Sequence, residues 1–150
     1  MQVLSRVSRL ARHLDRQRST AFAGYGLETW EFDVLAALRR AGRPYQLSPG
    51  QLLRETMVTS GTMTNRVDRL ASRGLVAREH HPEDRRGVLV TLTATGKETV
   101  DAALSDLLNA EEKILAKLSA AQLDHLAVSL RQLLLPYEDE DQAHQQVRSG

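Results

Sequence analysis

The stretch VTSGTMTNRVDRLASRG, residues 58 to 74, arranges small hydroxylated, amide and cationic side chains around a thin apolar set. At about 100° per residue, Met63, Val67 and Leu70 fall within roughly 60° of one another and form one narrow inward row. Gly61, Asn65, Asp68, Arg69 and Ser72 point the opposite way, and Thr62, Arg66 and Arg73 line one flank. The chemistry open to these types is recognition rather than catalysis. An Asn amide matches adenine, an Arg guanidinium matches guanine, and Ser60, Thr62 and Thr64 can reach phosphate oxygens or bases. Small residues at a helix start also let phosphate approach the unpaired backbone N–H groups at the positive end of the dipole. A solvated surface helix carries a similar face, and the neighbouring segments separate the two readings.

A second cationic cluster follows. The segments LVAREH and VLVTLT alternate and are β-branched, and they flank the polar HPEDRRG, which is a hairpin signal with a longer loop. Its tip carries Asp84, Arg85 and Arg86, and arginine inserted into a narrow minor groove reads DNA shape. Asp84 is placed to hold one arginine or the loop backbone, leaving the other for DNA. Taken alone, this tip also reads as an ordinary solvated turn.

The elements that must position these residues are legible on either side. In SPGQLLRETM, Ser48 is an N-cap, Pro49 opens the helix and Gln51 completes a capping box. Thr59 or Ser60 caps the next helix, so two short helices meet at a tight turn and a hairpin follows. That order is a winged helix-turn-helix, with the second helix in the major groove. Upstream, LETWEFDVLAALRRAG predicts a buried helix closed by Gly42, and RPYQL predicts a short extended link because Pro44 biases Arg43 away from helix.

At the N-terminus, Val3, Val7, Leu10 and Leu14 keep helical spacing until GYG at residues 24 to 26. From Thr93 a long helix carries Val100, Leu104, Leu107 and Leu108, and a further one runs from Leu123 to Pro136. The acidic, Gln-rich end is expected as a flexible tail. The chain therefore divides into a dimerisation helix at 1–26, a winged helix-turn-helix at 27–93, dimerisation helices at 94–136 and the tail at 137–150. The fold class is mainly α with a small β-hairpin wing. Leu-rich helices at both ends are too apolar to stay solvated, which predicts a homodimer. Two copies would set the recognition helices about 34 Å apart on a two-fold symmetric operator.

Several strings together carry a family resemblance. They are Leu27 through Leu38, Ser60-Gly61-Thr62-Met63-Thr64, Val67-Asp68-Arg69-Leu70, Arg73-Gly74-Leu75-Val76, and above all DRRGVLVTLTATG from Asp84 to Gly96. Over roughly residues 27 to 135 the chain resembles the MarR family of bacterial transcription regulators. The resemblance implies a homodimer with interlocked terminal helices, binding pseudo-palindromic DNA and released by a small ligand. By position it places Thr62, Thr64, Asn65 and Arg69 on DNA from the recognition helix, and Arg86 at the wing tip. Many members have Arg where this chain has Asn65, with Arg66 beside it, so the base preference there is its own.

Composition sets the outer bounds. Cysteine is absent, which excludes disulfides, thiolate zinc sites and thiol-based sensing and fits a reducing cytoplasm. The longest apolar run, Val34 to Leu38, is far short of the ~20 residues a membrane helix needs. Arg6, Arg9 and Arg12 interrupt any secretory signal, so a cytoplasmic protein is expected. Net charge is +1, and removing the tail's net −3 leaves +4 for the body, so a nucleic-acid surface must be a local patch.

No nucleophile signature, Gly-rich phosphate loop or spaced carboxylate–histidine cluster appears, and neither an enzyme nor a cofactor is expected. His80 and His81 are consecutive in a strand and point to opposite faces, so no metal is expected there. His13, Tyr25 and Trp30 are the candidates for a small-molecule pocket, although a tryptophan on an amphipathic helix also reads as core. The leading function is a dimeric DNA-binding repressor whose affinity a small molecule lowers. The alternative is a winged-helix protein-interaction module without specific DNA binding.

Overall fold

Local sequence signals account for most element boundaries in the computed structural model. It describes residues 2–56, 58 and 60–148, with side chains at all of these except 60, 85, 86 and 139–148. The helices are α1 (Gln2–Ala23), α2 (Thr29–Arg40), α3 (Pro49–Thr56), α4 (Ser60–Ser72), α5 (Ala94–Leu115) and α6 (Ala120–Arg148). The strands are β1 (Gln46–Leu47), β2 (Val76–His81) and β3 (Asp84–Leu92). Ser48 caps α3 as expected: Gln51 N–H donates to Ser48 Oγ at 3.2 Å and Ser48 N–H to Gln51 Oε1 at 2.8 Å. Gly42 closes α2 in the left-handed region at φ 75°.

β2 and β3 form the expected antiparallel hairpin, in register from Val76↔Leu92 to His80↔Val88, but its loop is shorter than expected: the turn is Pro82-Glu83, and Asp84 to Gly87 belong to β3. A third strand was not foreseen. β1 lies on the other edge of β3, pairing Gln46 with Thr91 and Leu47 with Val90, so the sheet order is β1-β3-β2. The link before it is not uniformly extended, because Tyr45 takes a left-handed φ of 62° and accepts from Leu92 N–H at 3.0 Å.

The chain forms two compact units, Met1–Leu108 and Asn109–Gly150. In the first, Phe22 stacks on Phe32 with ring centroids 3.9 Å apart. Leu35, Leu38, Leu52, Met63, Leu70, Val90 and Val100 fill the core around them. α5 buries Gly96, Val100, Ala103 and Leu107, one helical row. Gly96 is required by approach: a Cβ there would lie 2.0 Å from the Leu75 carbonyl oxygen. Thr93 secures the same junction, accepting from Gly96 N–H at 3.0 Å while its hydroxyl donates to the Gly74 carbonyl at 2.7 Å. This explains locally the TLTATG string.

In the second unit, Ser119 and Gln122 form a capping box that starts α6. The helix does not stop at Pro136 as the sequence suggests. It runs on to Arg148, so 137–148 are helical rather than an irregular tail. Proline forfeits one backbone hydrogen bond, but its fixed φ is itself helical. Among the described residues no helix is long and apolar enough to cross a membrane.

Candidate nucleic-acid interface

One apolar row seats α4 in the core. Met63, Val67 and Leu70 are 0–2% exposed, packed into the core. Gly61, Thr62, Thr64 and Asn65 on the rest of its first turns are exposed. This is the wet face that the spacing predicted. α3 packs against α4 through buried Leu52, giving the two-helix unit, and the side chain of Ser60 lies outside the described residues.

The C-terminal half of α4 is held from both sides by charged pairs that the sequence reading missed. On one side Asp68 pairs with Arg78 of β2, which ties the helix to the hairpin. On the other, Arg73 Nη1 lies 2.5 Å from Glu31 Oε1, and its Nη2 donates to the Gly26 carbonyl at 2.8 Å. Glu31 is buried at 2% exposure, so this arginine is its compensation. Glu31 Oε2 also accepts from Glu28 N–H at 2.9 Å, fixing the start of α2. The signal available in sequence was Glu-x-x-Glu at a helix start, facing Arg66, Arg69 and Arg73 at spacings of three and four.

Arg69 is placed differently from a residue projecting straight into a groove. Its Nη2 lies 3.4 Å from Glu28 Oε2, and its guanidinium sits 4.9 Å from the centre of the Trp30 ring. Arg66 lies 5.1 Å from the same ring. These restraints are weak. An exposed ion pair contributes about 0–1 kcal/mol and an exposed cation–π contact about 0.5–1, against about 1–3 for a bidentate base contact. Arg69, whose side chain is 59% exposed, can exchange its Glu28 partner for a guanine. Asn65, nearer the centre of the outer face, needs no such exchange.

At the wing, the side chains of Arg85 and Arg86 lie outside the described residues. Asp84 begins β3, and its carboxylate folds toward Gly87: a Cβ on that glycine would lie 3.3 Å from Asp84 Oδ2 and 2.8 Å from His81 Cβ. His81 Nδ1 accepts from Glu83 N–H at 3.2 Å, so this histidine serves the turn.

Among the three small-molecule candidates, His13 lies apart from the other two. His13 is exposed on α1 among Arg6, Arg9, Arg12 and Arg16. Most of the path from there to Tyr25 is helix, about 18 Å at the usual rise. Tyr25 Oη donates to Asp106 Oδ2 at 2.6 Å, and that bond raises the hydroxyl pKa above its ordinary value. Trp30 Nε1–H donates to Glu28 Oε2 at 2.6 Å. Tyr25 and Trp30 are thus bonded to different carboxylates.

α5 is also tied to the lobe. Asp101 accepts from Lys97 Nζ at 2.7 Å and from Arg39 Nε at 2.9 Å, and both cations also approach the Tyr45 ring. The Lys97 bond, with Arg39 adding, lowers the Asp101 pKa.

This arrangement is matched by known proteins. Residues 25–87 match the family model described as MarR family. The chain is 35% identical over 130 residues to the HTH-type transcriptional regulator PecS of Dickeya dadantii, covering 87% of this chain and 78% of PecS. Its fold is similar to that of a mutant MarR from E. coli complexed with operator DNA, with a TM-score of 0.73, 25% identity, and coverage of 89% of this chain and 94% of that one. It is also similar to Bordetella bronchiseptica BpsR, whose DNA binding is regulated by 6-hydroxynicotinic acid. There the TM-score is 0.63 and the identity 28%, over 85% of this chain and 98% of BpsR.

Proposed function

Because this chain belongs to the MarR family of DNA-binding transcriptional regulators, we propose that it acts as a homodimeric repressor on a two-fold symmetric operator. The observation that carries this reading is the division of α4 into a fully buried row, Met63, Val67 and Leu70, and an exposed first half bearing Thr62, Thr64 and Asn65. Asn65 reads an adenine, Ser60, Thr62 and Thr64 engage phosphates or base edges, and Arg66 and Arg69 add guanine or phosphate contacts. Arg85 and Arg86 reach the minor groove from a wing that Asp84 shapes. This is binding, not enzymology, as for its relatives.

Dimerisation is supported by the apolar row on α1, where Val3, Leu4, Val7 and Leu10 stay 40–66% exposed. A row of that kind is covered most simply by a second copy. Release by a small molecule is the remaining part of the reading, supported by the regulation of BpsR by a hydroxylated aromatic acid. Such a ligand acts only by binding better to a form whose helix spacing fits DNA poorly. Genome-wide footprinting with the purified protein tests the proposal. An inverted repeat with half-sites one helical turn apart, overlapping a promoter, is expected. Uniform binding without a protected repeat would instead support the protein-interaction module.

A further inference from the structure

We propose that Trp30 of α2 and Glu28, the residue that caps this helix, are positioning residues for DNA recognition, with the indole ring setting the direction in which Arg66 and Arg69 leave α4. The inference rests on the reading that α4 meets DNA, and extends it to residues that need not touch the duplex.

The same helix buries Phe32, Val34, Leu35 and Leu38, yet leaves Trp30 half-buried at the rim of the core. Two guanidiniums from α4 lie over that ring, at 4.9 and 5.1 Å. The indole is itself held in place, because one carboxylate oxygen of Glu28 accepts its N–H at 2.6 Å and also faces Arg69 at 3.4 Å. Just past the end of α4, Arg73 is committed to buried Glu31, so it anchors the helix and is not exchangeable. Arg66 and Arg69 differ: they are long, flexible side chains beside exposed partners, and without a platform each would sample many rotamers before finding a base. A planar ring narrows that search without supplying any contact to DNA.

The test uses the intact protein, its footprinted operator and a random duplex of equal length, with affinities measured across a salt series. Trp30→Leu is expected to weaken operator binding about fivefold, while random-duplex affinity, the salt slope and the thermal midpoint stay close to wild type. Trp30→Phe, which keeps a ring, should recover most of the loss. Arg69→Ala should lose at least as much, and the Trp30→Leu/Arg69→Ala double variant should lose less than the sum of the two, since the ring acts partly through Arg69 and partly through Arg66. The inference is overturned if Trp30→Leu leaves operator preference intact, if the two losses add, or if Trp30→Leu weakens operator and random duplex alike. Were Trp30→Leu unfolded, operator preference lost in Glu28→Ala but kept in Trp30→Phe would support the inference, and wild-type operator preference in a folded Glu28→Ala would overturn it. A wild-type protein with no operator preference would fail the parent reading as well, a result distinct from any variant-specific one.

Discussion

α4 and α1 carry the same kind of apolar row and meet opposite fates. Met63, Val67 and Leu70 of α4 are 0–2% exposed, whereas Val3, Val7 and Leu10 of α1 are 65%, 40% and 43% exposed. Helical period identifies a face but not what covers it. The row of α4 is covered by α2, α3 and the sheet of its own chain, which leaves the remaining girth of a thinly seated helix for a ligand as large as DNA. The row of α1 is left over, and the proposed dimer is what would cover it.

Truncating each row should separate the two most sharply. Leu70→Ala should cost about 2–5 kcal/mol of stability, from lost burial and a cavity. Leu10→Ala should change the stability of the dilute chain by less than about 0.5 kcal/mol. Urea unfolding at low protein concentration checks both, since association otherwise adds to apparent stability. Gly96→Ala belongs with Leu70→Ala, because its methyl would meet backbone at 2.0 Å rather than a side chain that can move.

Charge placed in the row of α1 sharpens the other half of the comparison. Leu10→Glu should raise the dimer dissociation constant by about tenfold or more, equivalent to roughly 1.4 kcal/mol. Sedimentation equilibrium reads the change as a shift toward monomer mass, and an unaltered dimer would move the interface elsewhere.

The ion pairs beside α4 rank below these. Arg73→Ala strands the buried Glu31 carboxylate and should cost about 1–3 kcal/mol, less than for a fully buried pair because the arginine side chain is 40% exposed. Arg69→Ala, whose partner Glu28 is 61% exposed, should stay within about 0.5 kcal/mol in thermal unfolding.

Smallest is the pH dependence from Asp101. Its pKa is lowered in the folded chain, so its contribution is present above the ordinary value of 3.8 and is lost as pH falls through the lowered one. Asp101→Asn should flatten the acid limb of a stability curve slightly and leave the neutral region lower by a small constant amount.

Signals carried by a few adjacent residues were legible in the sequence. The Ser48, Pro49 and Gln51 cap, the Gly42 terminus, the row of α4 and the presence of the hairpin all follow from local rules. What was not legible depends on residues distant in the chain. β1 is two residues long, too short for any period, and exists because β3 offers an edge. α6 passes Pro136 because the surrounding residues sustain helix and the ring costs one hydrogen bond. The candidate site was half visible. Its outward residues follow from helical angle, but the pairing of Arg69 with Glu28 and Trp30 joins positions 41 and 39 residues apart, and the spacing within each helix supplies the charges without saying which of them meet.

Operator recognition turns on the outer face of α4, and Asn65 tests it most directly. Wild-type protein and Asn65→Ala should be titrated with the footprinted operator and with operators changed at each base pair in turn, at two salt concentrations. Wild-type affinity should fall steeply with salt. Asn65→Ala should lose about 1–3 kcal/mol, and base discrimination should vanish at one position per half-site while the others keep theirs. If Asn65→Ala retains the full wild-type preference at every base pair, α4 does not read the operator through this face.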